Sequence, residues 1–272
     1  MEVKNLYFAY NGNTVLKDIN LEINLGESVA ILGENGAGKT TLIKHFNGLL
    51  RPKQGSVRVL GMDTRQCSVA ELSRHVGIVF QNPDHQLFAE TVEKEVAFAL
   101  ENFGFSRELI RKRTNWALKL MGLTTMRHRS PFTLSDGEKR RLAIACILAY
   151  DPEIIVFDEP TAGQDGLQKE KLGELIKLLL TQNKTIIVVT HDIEFVSERF
   201  KRVVVMSRGR IIADGHPREI LTDEKLLISA NLLPPQATQC AWELRGFNIP
   251  KNILYYYELK TQVVKILSGM MR

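Results

Sequence analysis

Long hydrophobic runs are missing from this sequence of 272 residues. The continuous apolar stretches around Val156 and Val188 are far shorter than the roughly 20 residues that a membrane-spanning helix requires. The first ten residues also lack the basic stretch and following apolar run of a secretory signal. We therefore expect a chain that is not exported and does not cross a bilayer.

Cysteine and clustered charge are scarce as well. The three cysteines, Cys67, Cys146 and Cys240, share no disulfide or metal-binding spacing, which suits a reducing cytosol and predicts three buried thiols. The formal charge of +5 comes from basic residues scattered along the chain, so we expect no nucleic acid partner. Five histidines show no ligand spacing and are expected at the surface, without zinc: His45, His75, His85, His128 and His216.

Short apolar segments alternate with helix-length polar segments along most of the chain. The predicted strands are 29–32, 77–80, 154–157, 186–189 and 203–206. This alternation predicts an α/β fold with a mostly parallel, buried sheet. Earlier segments alternate apolar with polar residues and predict a half-exposed antiparallel layer: 3–10, 19–25 and, in part, 57–60.

Helical patterns replace the strands in the middle of the chain. They predict an inserted α-helical subdomain at about 83–149, and Ser68 to Glu71 predicts a capping box just upstream. The adjacent Pro234 and Pro235 mark the plainest boundary. We therefore predict a main domain over 1–233 and a short, partly helical C-terminal appendage over 234–272. An apolar stripe in the appendage either supports its own domain or meets a partner; it consists of Leu259, Val263, Ile266 and Met270.

The strongest chemical signal is the segment from Gly33 to Thr40, which fits the G-x-x-x-x-G-K-[ST] pattern of a P-loop and follows a predicted strand. Its glycines let backbone N–H groups point at phosphate oxygens, and the helix predicted over 40–49 adds its positive end. Lys39 is expected to bridge the β- and γ-phosphates of ATP, and Thr40 to bind Mg²⁺. The predicted nucleotide-binding residues here are Gly33, Glu34, Asn35, Gly36, Ala37, Gly38, Lys39, Thr40 and Thr41.

Two further predicted strands end in polar residues suited to hydrolysing a bound nucleoside triphosphate. Asp158 and Glu159 follow an apolar strand, and burying two acids needs a chemical reason. Asp158 is placed to hold Mg²⁺, and Glu159 is placed to polarise the attacking water as general base. His191 ends another strand, where open α/β sheets bind ligands.

The segment from Thr133 to Arg141, together with these motifs, resembles the signature of ABC ATPases. Such a resemblance implies a P-loop NTPase fold with an N-terminal antiparallel β layer and a helical subdomain. It also implies head-to-tail pairing of ATPases, with each ATP held between one subunit's P-loop and the other's signature. By this resemblance Tyr10 stacks on adenine, Gln81 contacts Mg²⁺ and the water, and His191 contacts the γ-phosphate. The residues expected to act in trans are Ser135, Asp136, Gly137, Glu138 and Asp165.

The sequence departs from the family pattern at the face where two ATPases would meet. Asp136 stands where glycine is usual, and Gln164 and Gly166 stand where leucine and proline are usual. A carboxylate beside a neighbour's triphosphate costs Coulomb energy unless it points away or is paired, for example with Arg140 or Arg141. A pairing with one strong and one weak ATP site is therefore a hypothesis.

The segment from Phe80 to Phe98 and the prolines after residue 233 are similar to the energy-coupling factor ATPases of cobalt, nickel and vitamin importers. That likeness implies an ATPase at the cytoplasmic face of the membrane, partnered by a transmembrane coupling protein and a substrate-binding membrane subunit. Residues 82–88 would receive the coupling helices, unless Leu87 and Phe88 belong to the helical core. The alternatives are an exporter's ATPase, a soluble ATPase acting on ribosomes or DNA, and a regulatory module without hydrolysis.

Overall fold

The computed structural model describes residues 1–270, and for the last two of these only the backbone. The strands are β1 (Glu2–Tyr10), β2 (Asn13–Glu22), β3 (Ser28–Leu32), β4 (Gln54–Val59), β5 (Met62–Asp63), β6 (Val76–Val79), β7 (Ile154–Asp158), β8 (Thr185–Thr190), β9 (Arg202–Ser207) and β10 (Arg210–Gly215). The helices are α1 (Lys39–Lys44), α2 (Val69–His75), α3 (Val92–Asn102), α4 (Arg107–Leu120), α5 (Asp136–Tyr150), α6 (Gly166–Thr181), α7 (Ile193–Arg199), α8 (Pro217–Leu221), α9 (Glu224–Ser229), α10 (Gln236–Glu243) and α11 (Tyr256–Met270).

The larger sheet has the strand order β10-β9-β3-β8-β7-β6, and all neighbours except β10 and β9 pair in parallel. Strands β6, β7 and β8 are buried at every residue, because helices and the second sheet cover both faces. The smaller sheet, β2-β1-β4-β5, is antiparallel throughout. The predicted fold class is therefore confirmed. The carboxyl ends of β3, β6, β7 and β8 share one edge, which positions the site.

Helices α3, α4 and α5 pack around an apolar cluster of their own, which includes Val96, Leu118 and Leu142. Each of the three helices begins with a side-chain cap, from Thr91, Ser106 and Ser135 in turn, because short hydroxyl side chains accept the unpaired N–H groups of a first turn. No helix within residues 1–270 has the length and apolar character needed to span a membrane.

Of the predictions about single helices and side chains, one is confirmed and others are wrong. The capping box of Ser68 and Glu71 is confirmed at the start of α2. The helix predicted over 40–49 is wrong in length: α1 ends at Lys44, and the chain turns at Gly48, whose φ is 75°. Burial was also wrong for two groups of side chains. The ring of His45 is buried, whereas Cys240 is exposed and Cys67 is half-buried. The thiol of Cys146 packs against the core of α3, α4 and α5, and burial raises its pKa.

The C-terminal helices form a small core of their own. Leu259 is buried with Ala237 and Ala241 of α10, and Val263 and Ile266 pack against the same cluster. The described part of the apolar stripe therefore supports its own domain, while the side chain of Met270 lies outside the described residues. An ion pair of 2.6 Å between Arg218 of α8 and Glu258 of α11 joins this unit to the rest of the chain.

Candidate functional site

The loop between β3 and α1 curls tightly at its glycines. Gly33 has a φ of 156°, and a Cβ there would lie 2.3 Å from the carbonyl oxygen of Met206. Gly38 has a φ of 101°, and a Cβ there would lie 2.8 Å from the Leu16 side chain. Side chains larger than hydrogen are excluded at both positions, since positive φ and close packing act together. The curl of the backbone, with α1 following at once, forms an anion-binding concavity.

Lys39 lies buried at the centre of this loop. Its Nζ donates to the carbonyl of Gly33 at 2.6 Å and to that of Glu34 at 3.0 Å. The same nitrogen lies 3.9 Å from Oε1 of Glu159. Burial lowers the pKa of Lys39, and the neighbouring carboxylates of Glu159 and Asp158 oppose that shift. A cation held in this way is suited to contact phosphate oxygens.

Asp158 and Thr40 meet at the foot of the loop. The hydroxyl of Thr40 donates to Oδ2 of Asp158 at 2.9 Å, and Oδ1 of Asp158 is buried with no hydrogen-bond partner. Burial raises the pKa of Asp158 above its ordinary value. A free carboxylate oxygen beside a hydroxyl is the hard donor set that Mg²⁺ prefers. The residues present therefore fit a magnesium ion that takes its remaining ligands from phosphate and water.

Glu159 and His191 face each other across the ends of β7 and β8. Oε2 of Glu159 lies 2.9 Å from Nδ1 of His191 and accepts the His191 backbone N–H at 3.3 Å. Glu159 has a φ of 50°, a conformation that costs energy for a side chain of this size. The pair of contacts fixes the carboxylate beside Lys39, as a positioned general base requires.

The remaining two residues predicted on this side of the site are exposed at its margin. Tyr10 ends β1 and stands edge-on to Phe8, with ring centroids 4.9 Å apart. Phe8 in turn stands edge-on to the buried His45, which follows α1 directly, at 4.8 Å. Gln81 is exposed and follows β6, whose carboxyl end lies at the same sheet edge as that of β7. The sequence predicted His45 at the surface, because a single histidine carries no pattern that would reveal its packing against Phe8.

The predicted trans residues lie together at the starts of α5 and α6. Ser135 caps α5, and Oε2 of Glu138 accepts from the Ser135 backbone N–H at 2.7 Å and from its hydroxyl at 2.9 Å. Asp165 caps α6 by accepting the N–H of Gln168 at 2.8 Å. Arg140 joins the two elements, because its Nη1 donates to the carbonyl of Ala162. The structure thus brings the signature, Thr133 to Arg141, and the segment 162–165, called the D-loop in ABC ATPases, to one exposed surface.

Asp136 is the first residue of α5 and is exposed. Within residues 1–270 it has no ion-pair partner, so the suggested pairing with Arg140 or Arg141 is not found. Glu138 adds a second carboxylate to the same helical turn, and its hydrogen bonds to Ser135 lower its pKa. Two acids therefore offset the positive end of this helix.

A strand, a phosphate-binding loop and a helix, with two carboxylates and a histidine beside them, define a P-loop nucleoside triphosphatase. A family model described as "ABC transporter" matches residues 16–162. The energy-coupling factor transporter ATP-binding protein EcfA2 of Clostridium tetani is 40% identical over 281 residues, which cover 99% of this chain and 98% of that protein.

Solved structures agree with this result. The structure of cbiO1 from Clostridium perfringens, described as part of the ABC transporter complex cbiONQ, has a TM-score of 0.73 at 37% identity, covering 85% of this chain and 93% of that one. The ATP-binding cassette MJ0796, a dimer bound to ADP and Pi, has a TM-score of 0.72 at 31% identity, covering 79% and 98%. The chain therefore belongs to the ATP-binding proteins of ABC transporters, and among them to the energy-coupling factor type. It is an ATPase.

Proposed function

We propose that this ATPase works as one half of a head-to-tail dimer that drives uptake of a micronutrient, a vitamin or a transition-metal ion, through membrane partners. The observation that carries the hydrolytic part of this proposal is the position of the Glu159 carboxylate, held between His191 and Lys39 at the P-loop. In this arrangement Glu159 supplies a base, Lys39 a cation that binds phosphate, and His191 a contact for the γ-phosphate, all beside one another.

In the cis half of the site, the N–H groups of residues 33–41 and Lys39 bind the phosphates of ATP. Thr40, Asp158 and Gln81 would hold Mg²⁺, which would supply positive charge for the phosphates when bound. Glu159 accepts a proton from the attacking water, and His191 keeps that carboxylate oriented. Tyr10 stacks on the adenine.

The trans half of each site comes from the partner ATPase. Ser135, Gly137 and the N-terminus of α5 donate to the γ-phosphate across the dimer, and Asp165 lies beside them on the D-loop. The exposure of this surface and the dimeric, ADP-bound relative support the arrangement. Since hydrolysis removes the bridging phosphate, the dimer opens after each turnover. The partner is a second copy or a paralogue.

Residues 82–88 form the surface that receives the transmembrane coupling protein. Leu87 is buried in the helical core, as one alternative held, but Phe88 is 57% exposed. Phe88 stands edge-on to Phe98, with ring centroids 4.6 Å apart. An exposed aromatic pair suits a protein interface, because aromatic side chains dominate interface energies. The chain thereby lies peripherally at the cytoplasmic face of the membrane.

The test is to tag the chain, solubilise native membranes with mild detergent and Mg²⁺-ATP, and identify the co-purifying proteins by mass spectrometry. We expect a polytopic membrane protein, a substrate-binding membrane subunit and an ATPase partner. The variant Phe88→Ser should lose the membrane proteins and keep its own nucleotide binding. The matched control, Phe247→Ser, removes an equally exposed ring from the appendage and should keep them.

Other outcomes discriminate the alternatives. A polytopic partner without a substrate-binding subunit would indicate an exporter. Ribosomal or DNA-bound partners without a membrane protein would overturn the transport proposal.

A further inference from the structure

A cleft of about 610 Å³ lies between α5 and α6, away from the phosphate-binding loop. Its walls come from the end of α4, the first half of α5, the D-loop and one face of α6. Ligand pockets in proteins commonly have a volume of a few hundred Å³ and a mostly apolar lining with a few polar groups. This α5–α6 cleft meets that description, and neither the P-loop nor residues 82–88 contribute to it.

One end of the α5–α6 cleft is cationic. Arg140 and Arg141 line it from α5, and Lys171 lines it from α6. Glu174 is the one acidic residue of the lining, so three cationic groups face one carboxylate. Within residues 1–270 neither Arg141 nor Lys171 forms an ion pair, and Nε of Arg140 is buried without a hydrogen-bond partner. A buried donor left unsatisfied costs free energy, which an anion at this end would recover.

The other end of the α5–α6 cleft is apolar apart from Glu174, which lies one turn beyond Lys171 on α6. Ile144 lines it one turn beyond Arg140 and Arg141 on α5. Leu175 and Leu178 lie one and two turns beyond Lys171 on the same face of α6. Leu178 and Leu120, the latter from the end of α4, are 41% and 39% exposed, so apolar surface faces the opening.

Contacts at both ends show that the two helices run side by side in the same direction. Near their starts, Arg140 donates to the carbonyl of Ala162 in the D-loop. Near their ends, Nζ of Lys184 forms an ion pair of 2.7 Å with Asp151. The cationic residues therefore gather at the starts of α5 and α6, and the apolar residues lie toward their ends. Polarity changes along the length of the α5–α6 cleft rather than across it.

This gradient identifies the kind of ligand. A simple anion would leave the apolar end in contact with water, and a neutral hydrocarbon would leave the cations without a partner. The geometry points to a binding site for an amphiphile with one anionic head group and an unbranched alkyl chain. The head group contacts Arg140, Arg141 and Lys171, and the chain follows Ile144, Leu175 and Leu178.

The position of the site would let such a ligand affect ATP hydrolysis. Gly137 of the signature and Gln164 of the D-loop both line the α5–α6 cleft. A bound amphiphile fixes the distance between two elements that must meet the partner's ATP together. The binding itself does not depend on the proposed transport function, so each can fail without the other.

The experiment is calorimetric titration of the purified full chain with dodecyl phosphate below its micellar concentration. We expect saturable binding that the substitution Lys39→Ala leaves unchanged, which separates this site from the P-loop. Lys171→Gln should weaken binding about tenfold through loss of a charge-assisted contact. The matched control on the same helix, Lys177→Gln, replaces an exposed lysine that does not line the α5–α6 cleft.

The apolar end has its own pair of variants. Leu178→Gln should weaken binding severalfold, whereas Leu167→Gln, at a 64% exposed residue of α6 outside the cleft, should not. Hydrogen exchange should slow in 137–144 and 164–178 on binding. Equal binding of dodecanol or of inorganic phosphate would overturn the proposal, as would equal effects of the paired variants or an absence of binding.

Discussion

The two halves of the nucleotide machinery are built in opposite ways. In the cis half, Lys39 is buried at the start of α1, and Asp158 and Glu159 are buried at the end of β7. Each of the three is held by a contact from another element. In the trans half, Ser135 and Asp136 are exposed at a helix start, and the contacts of Ser135 come from its own turn.

The difference teaches which half can act before assembly. Buried groups with fixed partners are preorganised, so they can bind phosphate without large rearrangement. The hydroxyl of Ser135 is already bonded to Glu138, and it must leave that carboxylate before it can donate to a phosphate. The cis half is therefore a ready binding site, while in the proposed dimer the trans half would gain its function only when a partner's nucleotide replaces an internal acceptor.

The largest effect is expected from Glu159→Gln, which removes the proposed base from the cis half and keeps its shape. ATP hydrolysis by the assembled complex should fall about a hundredfold or more, because general bases contribute factors of that order. Nucleotide affinity should stay within a few-fold, as measured by titration with a fluorescent ATP analogue. The control Glu101→Gln, at an exposed residue of α3, should keep full hydrolysis. Hydrolysis retained by Glu159→Gln would assign the base elsewhere.

A second prediction is that Asp158 of the cis half is needed for hydrolysis but lowers the stability of the folded chain. Burial raises the pKa of Asp158, so its ionised form at neutral pH destabilises the folded chain relative to the unfolded one. Asp158→Asn keeps an acceptor for the Thr40 hydroxyl and removes this charge. We expect a higher Tm without nucleotide and loss of Mg²⁺-dependent hydrolysis, measured by calorimetry and phosphate release. Asp165→Asn, at an exposed cap, should not raise the Tm; a rise of equal size there would refute burial as the cause.

The same contrast explains what could be predicted from the sequence. The P-loop and the acidic strand end are local patterns whose chemistry depends on neighbouring residues, so spacing was enough. Side-chain contacts between segments far apart in the sequence have no local sequence pattern that would predict them. The side chain of Asn231, for example, donates to Glu34 of the P-loop at 2.8 Å across 197 residues of sequence. The α5–α6 cleft likewise depends on how two helices pack, and no short motif encodes that.

A third, smaller effect concerns Asp136 in the trans half. The substitution Asp136→Gly should raise hydrolysis by the assembled complex about threefold to tenfold, because it removes a carboxylate that would face the partner's triphosphate in the proposed dimer. Asp136→Asn keeps most of the side-chain volume and should give a similar gain if charge is the cause. Unchanged hydrolysis by both variants would refute the hypothesis of unequal ATP sites. Faster hydrolysis by Asp136→Gly alone would indicate a steric cause.

The smallest effect is a pH dependence confined to the first turn of α5. Hydrogen bonds from Ser135 lower the folded-state pKa of Glu138, so their stabilisation is present above the unfolded pKa of 4.5 and is lost as pH falls through the folded value. Hydrogen-exchange protection in this turn should therefore decrease below about pH 4.5.

The variant Glu138→Gln provides the control, because an amide oxygen can still accept from Ser135 but does not titrate. In this variant, hydrogen-exchange protection of the first turn of α5 should stay the same as the pH is lowered. The capping box of Ser68 and Glu71 on α2 offers an internal comparison, since the pKa of Glu71 is lowered by the same kind of contacts. Equal acid sensitivity in both boxes would place the cause in the capping geometry. Sensitivity in α5 alone would show that the cause is not the capping geometry that the two helices share.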